Sequence, residues 1–338
     1  MKVLVTGANG FIGRALCRHL VAEGISVRGL VRPGSTLGTL TDLPAVEVTH
    51  GDVLSVESLS RAMDQVDAVV HLAGAVSAGR DSTYARVNVE GTRNLAEAAH
   101  AAGVRRAVFM SSLAAQGPSQ PGKPHRTGGN EQPLNSYGRS KLEAENILRE
   151  RLGGAATILR PGIAYGPDYA ELAQVARWVR SRVVPFVPDL ELSFVHVDDL
   201  VALVGLALRA EGEAVGPYFV SDGEVQRMER VVDRLESLVS DRPGLRLPLS
   251  AKVLGWLEPV TQRVADTAGL GASISRLIAE VRAPGWACVP DEAVERFGFV
   301  VRHPFDTALP EVMAWYRDRG WFDAPGRSAS AAGQTSKT

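Results

Sequence analysis

The sequence predicts an α/β fold, a doubly wound parallel sheet with a smaller mixed lobe built from the C-terminal half. Three observations predict it. Short, continuously apolar runs alternate with helical stretches through the first half, as parallel strands covered on both faces require. The first of these runs leads directly into Thr6-Gly7-Ala8-Asn9-Gly10-Phe11-Ile12-Gly13, a strand, a glycine turn and the start of a helix. Beyond Pro161 the alternation becomes irregular, as expected where a second lobe begins.

The elements follow in order. Val3-Leu4-Val5 is a buried strand, and Ala15 to Glu23 is the helix after the glycine turn. Val27 to Val31, Val46 to Thr49 and Ala68 to Leu72 are the next strands. Asn94 to Ala102 is an alanine-rich helix, Arg106 to Met110 the fifth strand and Ala155 to Leu159 the sixth. Tyr169 to Arg182 reads as helix, Leu192 to Val197 as extended chain, Leu200 to Arg209 as a buried helix and Tyr218-Phe219-Val220 as a strand. Residues 224 to 282 read as mostly helical, interrupted by Pro243, Pro248 and Pro259. The expected organisation is a dinucleotide-binding unit over 1–165, with segments around 194–220 returning to it. A mainly substrate-binding lobe over 166–323 and a disordered tail over 324–338 complete it.

Composition bounds the function. With 338 residues, 45% hydrophobic and 22% charged, the chain can bury a large core. A formal net charge of −1 argues against a nucleic-acid surface. Cys17 and Cys288 lack disulfide or metal-ligand spacing, so no metal is expected. The longest late apolar run, Leu200 to Leu208, is far short of the roughly 20 residues a membrane span needs. With no leader before the first strand, a cytoplasmic, reducing setting is expected.

Gly7, Gly10 and Gly13 are spaced as a phosphate cradle. The turn needs a glycine, the backbone must approach a pyrophosphate closely, and the helix N-terminus offers free N–H groups and partial positive charge. At the end of the second strand an acidic residue would hold the ribose hydroxyl of NAD. This chain has Val31-Arg32-Pro33-Gly34-Ser35 instead. Arg32 can pair with a ribose phosphate and stack on adenine, and Ser35 can add a hydrogen bond, so NADP(H) is favoured and NAD(H) remains possible. Asp52 is expected at the adenine amino group with Val53 against the ring. Leu72, Ala73 and Gly74 supply the small residues a passing cofactor needs, and His71 is read as a core histidine.

Tyr137 and Lys141 stand four residues apart in Ser136-Tyr137-Gly138-Arg139-Ser140-Lys141, on one helix face. A phenol with pKa about 10 is a poor base at neutral pH. The expectation is that Lys141 lowers it and orients the nicotinamide ribose, while Ser112, after the fifth strand, hydrogen-bonds the substrate oxygen. The run His196-Val197-Asp198-Asp199 is not read as a metal site: its carboxylates, Asp198 and Asp199, are expected to cap the following helix and anchor the second lobe. The stretch from Pro248 to Val264, with Trp256 and Leu257, is read as lobe packing or pocket lining.

In order along the chain, TGANGFIG (6–13), GD (51–52), HLAG (71–74), NVEGTRNLAEAA (88–99), VFMSSLAAQG (108–117), YGRSK (137–141), LRPGIAYGP (159–167) and FVHVDDL (194–200) resemble an extended short-chain dehydrogenase/reductase. The resemblance, to the NAD-dependent epimerase/dehydratase type with its Rossmann-type sheet, covers most of residues 1–323. It implies Ser112, Tyr137 and Lys141 as the catalytic triad, with Asn88 and Ser111 near the cofactor. Pro161, Gly162 and Ile163 would pass the nicotinamide. Leu113 and Ala114 stand where dehydratases carry acids, which argues against water loss. Residues 188–193 lack the arginine usual in sugar-nucleotide epimerases. Leu159-Arg160-Pro161 and the chain end are more similar to the 3β-hydroxysteroid dehydrogenase and dihydroflavonol reductase branch. The expected activity is interconversion of a secondary alcohol and a ketone on an apolar or cyclic small molecule. The rivals are a sugar-nucleotide epimerase, with Arg177, Arg180 and Arg182 as possible diphosphate ligands, and a non-catalytic NADP-binding sensor or scaffold. A homodimer through the helices at 84–102 and 137–149 is expected.

Overall fold

The computed structural model describes residues 1–76, 80–180, 183–240, 244–249 and 271–322. The expected tail, Arg182, Trp256 and Leu257 lie outside the described residues.

In the first half, β1 (Lys2–Thr6) runs through the glycine turn into α1 (Phe11–Ala22), followed by β2 (Ser26–Val31), β3 (Val46–His50), α2 (Val56–Ala62) and β4 (Ala68–His71). Helix α3 (Asp81–Tyr84) continues through a π-helical turn, Ala85–Glu90, into α4 (Gly91–Ala101). Then come β5 (Arg106–Met110), the short α5 (Leu113–Gln116), α6 (Ser136–Leu152) and β6 (Ala156–Pro161). The second half holds β7 (Ile163–Tyr165), α7 (Ala170–Arg180), β8 (Val183–Phe186), β9 (Glu191–Leu192), β10 (Phe194–His196) and α8 (Val197–Arg209). It continues with β11 (Tyr218–Val220), β12 (Gln226–Arg227), α9 (Met228–Val239) and β13 (Leu245–Pro248). Last are α10 (Gly271–Arg282), β14 (Gly285–Trp286), α11 (Asp291–Phe297) and α12 (Phe305–Asp318).

Seven strands form one parallel sheet in the order β11-β6-β5-β4-β1-β2-β3. The pleat explains why the strands are apolar throughout. Val3 and Val5 of β1 face one core with α1 and α8, while Leu4 faces another with α2, α4 and α6. A third cluster unites the second half, where β9 is flanked by β12 and β14. The sheet is therefore completed by β11, which pairs with β6 from far along the chain.

One local reading changes. Helix α8 begins at Val197, and its cap is the His196 imidazole, whose Nδ1 accepts from the Asp198 amide at 3.3 Å, rather than a carboxylate. Asp199 anchors instead: its carboxylate accepts from the Arg302 and His303 amides at 3.1 and 2.9 Å. Among its described residues the stretch 224–282 is mostly helical, through α9 and α10, with the short β12 and β13 added where they pair with β9 and β8.

Candidate active site

β1 and β4 are neighbours from which the chain winds in opposite directions, which opens a crevice at their carboxyl ends. The glycine turn forms its floor. Gly7 adopts φ 68°, and a Cβ there would sit 2.9 Å from the Ala73 amide nitrogen. A Cβ on Gly13 would come within 2.2 Å of the Gly7 carbonyl oxygen. Gly10 caps α1 without any side chain, so the first amides of the helix stay open toward the crevice. A bare backbone, close packing and an uncapped helix start fit a dinucleotide pyrophosphate.

The chemistry-bearing side chains come from α6 and the end of β5. Helix α6 starts where it does because the Asn135 carboxamide accepts from the Gly138 amide at 2.9 Å. Gly138 lets this first turn press on α5: a Cβ would lie 2.3 Å from the Ala114 carbonyl oxygen. Tyr137, Lys141 and Glu145 then repeat every four residues along the buried face. Ser112 caps α5 by accepting from the Ala114 amide at 3.1 Å, and its hydroxyl also bonds the Tyr137 phenol.

Burial dominates the electrostatics. It raises the Tyr137 pKa, opposed by the Ser112 hydrogen bond and by the Arg276 guanidinium. It pushes Lys141 down to about 7, with the Glu145 carboxylate pulling the other way. The expectation that Lys141 lowers the phenol's pKa is not met in this arrangement. The ammonium donates to the Met110 carbonyl at 2.6 Å and lies 4.2 Å from the centre of the Phe109 ring. Behind the pair, Glu145 accepts from Ser111 Oγ at 2.5 Å and from the Arg160 guanidinium at 2.9 and 2.7 Å.

One cavity of about 730 Å³ brings together most of the residues singled out from the sequence. Gly7, Gly10, Phe11, Ile12, Gly13, Leu72, Gly74, Ser111, Ser112, Tyr137, Lys141, Pro161, Gly162 and Ile163 all line it. Arg32, Asp52, Val53, Ala73 and Asn88 do not. Arg32 is exposed after β2. Asp52 accepts from the Leu54 amide at 3.0 Å, and buried Val53 packs under Gly91. The Ala73 amide donates to Thr6 Oγ1 at 3.2 Å. Asn88, in the π-helical turn, ties both polar groups of Ala75 to Ser140 of α6. His71 is buried with Thr6 and Thr92 on its two ring nitrogens, in keeping with a core role.

The sequence reading missed the far wall. Leu190, Leu192, Met228 and Trp286 make it apolar, with Arg276 and Glu280 of α10 set into it. It also missed a clasp. Arg14 pairs with Asp168 at 2.7 Å, and Phe11 stacks on Tyr169 with centroids 4.7 Å apart. The i,i+4 spacing of Arg276 and Glu280 was the available signal for the pair; nothing local signals the clasp. Among the described residues, His196, Asp198 and His303 could gather around an ion, but Asp198 is exposed and the His303 ring is held by Asp199.

The model for the family described as "NAD dependent epimerase/dehydratase family" matches residues 3–220. A ceramide reductase of Caulobacter vibrioides is 36% identical over 332 residues, 94% of this chain and 95% of its own. Sterol demethylase protein B of Methylococcus capsulatus is 34% identical over 259 residues, 73% of this chain and 78% of its own. The structure of the Bordetella bronchiseptica enzyme WbmG in complex with NAD superposes with a TM-score of 0.76 at 24% identity, covering 96% of each chain. That last likeness concerns the fold.

Proposed function

This chain belongs to the NAD-dependent epimerase/dehydratase family, and from that premise we propose that it reduces a ketone on an apolar small molecule to a secondary alcohol. The observation that carries the reading is the single cavity joining the glycine turn, Ser112, Tyr137 and Lys141 to a wall of Leu190, Leu192, Met228 and Trp286. Such a wall suits a hydrocarbon chain or ring. The ceramide reductase likeness, spanning nearly the whole of both chains, supports the reductive direction and a lipid-like substrate.

A bound nicotinamide dinucleotide would supply the hydride. Gly7, Gly10 and Gly13 would hold its phosphates, and exposed Arg32 would favour a ribose phosphate over a hydroxyl. Tyr137 donates its proton to the carbonyl oxygen, which Ser112 also hydrogen-bonds, stabilising the charge that gathers there. Burial keeps the phenol protonated and so available as the donor. Lys141, whose ammonium donates to the Met110 carbonyl, would restore that proton.

Tyr137→Phe should lower kcat for reduction of an identified ketone by at least about a hundredfold with dinucleotide affinity retained. Full turnover in the variant overturns the assignment. Arg32→Glu should shift preference from NADPH toward NADH; an unchanged ratio of the two affinities would refute the cofactor reading.

Epimerisation is the second reading, favoured by the family membership itself. Arg177 and Arg180, its expected diphosphate ligands, instead donate to the Trp321 and Phe322 carbonyls at 2.9 and 3.4 Å. Denaturing the purified protein separates the readings, since an epimerase must reoxidise its substrate on the same cofactor. Stoichiometric, non-exchanging NAD in the released fraction would favour epimerisation.

A further inference from the structure

We propose that the Arg276–Glu280 pair recognises a neutral polar group beside the reacting carbonyl, one offering both a hydrogen-bond acceptor and a donor, and that a secondary amide is the group it fits. The inference deepens the ketone-reducing reading above and rests on it. Both residues belong to α10 and line the cavity otherwise walled by apolar side chains. The Arg276 guanidinium carbon stands 5.3 Å from the centre of the Tyr137 ring, which places the pair next to the proton donor.

The pair is fixed relative to that donor. Glu280 accepts from Asn135 Nδ2 at 3.2 Å, and Asn135 is the residue that caps α6 one turn before the working face. The Trp286 indole donates to the Glu280 carbonyl at 2.7 Å. An i,i+4 ion pair is ordinarily a solvated surface feature. This one is only 20% and 19% exposed and points at the cavity.

The charges decide the ligand class. Arg276 Nη1 lies 3.1 Å from each Glu280 oxygen, so the pair presents no net charge. A carboxylate entering here would meet Glu280. A plain hydrocarbon would cover the pair while leaving its remaining donor and acceptor capacity unused, and a site built to hydrogen-bond a ligand discriminates against one that cannot. The buried Arg276 Nε has no hydrogen-bond partner among the described residues, so the guanidinium retains unused donor capacity. An amide carbonyl can accept from the guanidinium while its N–H donates to the carboxylate.

Three probes test this: a hexyl ketone bearing an acetamidomethyl group, the same ketone with butyl in its place, and the same ketone bearing carboxymethyl. Wild-type protein with NADPH should favour the acetamidomethyl ketone over the butyl ketone by at least about tenfold in kcat/KM, as charged hydrogen bonds typically give. Arg276→Gln and Glu280→Gln should each bring that ratio close to unity, with melting temperature and dinucleotide affinity certifying the fold. The proposal is overturned by no wild-type preference, by a ratio that survives both substitutions, or by preference for the carboxymethyl ketone. If no ketone is reduced at all, the reading of the reaction fails, and calorimetry with the acetamidomethyl alcohol decides the subsite separately. Binding that weakens in Arg276→Gln sustains it, whereas absent or unchanged binding overturns it.

Discussion

Lys141 sits where burial opposes the charge that its proposed role needs. Its folded pKa of about 7 lies below the ordinary 10.5, so between those values the unfolded chain binds more protons than the folded one. Stability therefore rises with pH across that window, and the cost of burying the ammonium is fully present below pH 7. Lys141→Met should remove the cost and stabilise the fold at neutral pH by on the order of 1 kcal/mol, after allowing for the lost bond to Met110. The same variant should lose turnover. Urea melts of both proteins from pH 6 to pH 10 check the sign, because the gap should shrink as the pH rises. A variant less stable than wild type at pH 7 would contradict the argument.

Elements bring these side chains together by close backbone approach. Helix α6 meets α5 through Gly138, where a Cβ would strike the Ala114 carbonyl. Gly138→Ala should lift the first turn of α6 and destabilise the protein by about 2 kcal/mol or more, with a steeper loss of activity than of melting temperature. Circular dichroism melts alongside turnover measure both; a variant that matches wild type in each would mean the contact yields freely. The glycine turn and the Tyr137–Lys141 spacing were legible in the sequence because each is a local pattern dictated by one strand end or one helix face. The apolar wall was not, because β9, β12 and β14 are two-residue strands that exist only through one another. Their residues carry too short a pattern to announce a sheet. Asp52 and Asn88 were legible as notable positions, but not in the turn and the three-way bond that occupy them.

Across the whole molecule, distant segments close on the same cleft. The sheet is finished by β11, and the far wall comes from α9, α10 and β14, so the cavity needs nearly the full length of the chain. The clasp extends this dependence. Gly166 and Tyr169, on either side of Asp168, are held from behind by Tyr316 of α12, whose hydroxyl lies 2.8 Å from the Gly166 and Tyr169 carbonyls and accepts from the Tyr169 amide at 3.2 Å. Tyr316→Phe keeps the packing and removes this tether. It should accelerate release of a bound dinucleotide by about tenfold, as loss of a few hydrogen bonds allows, while association changes less. Stopped-flow release of nicotinamide fluorescence reads the effect, and an unchanged off-rate would show the tether to be idle. The last described helix would thereby set the residence time of a dinucleotide held at the first turn of the chain.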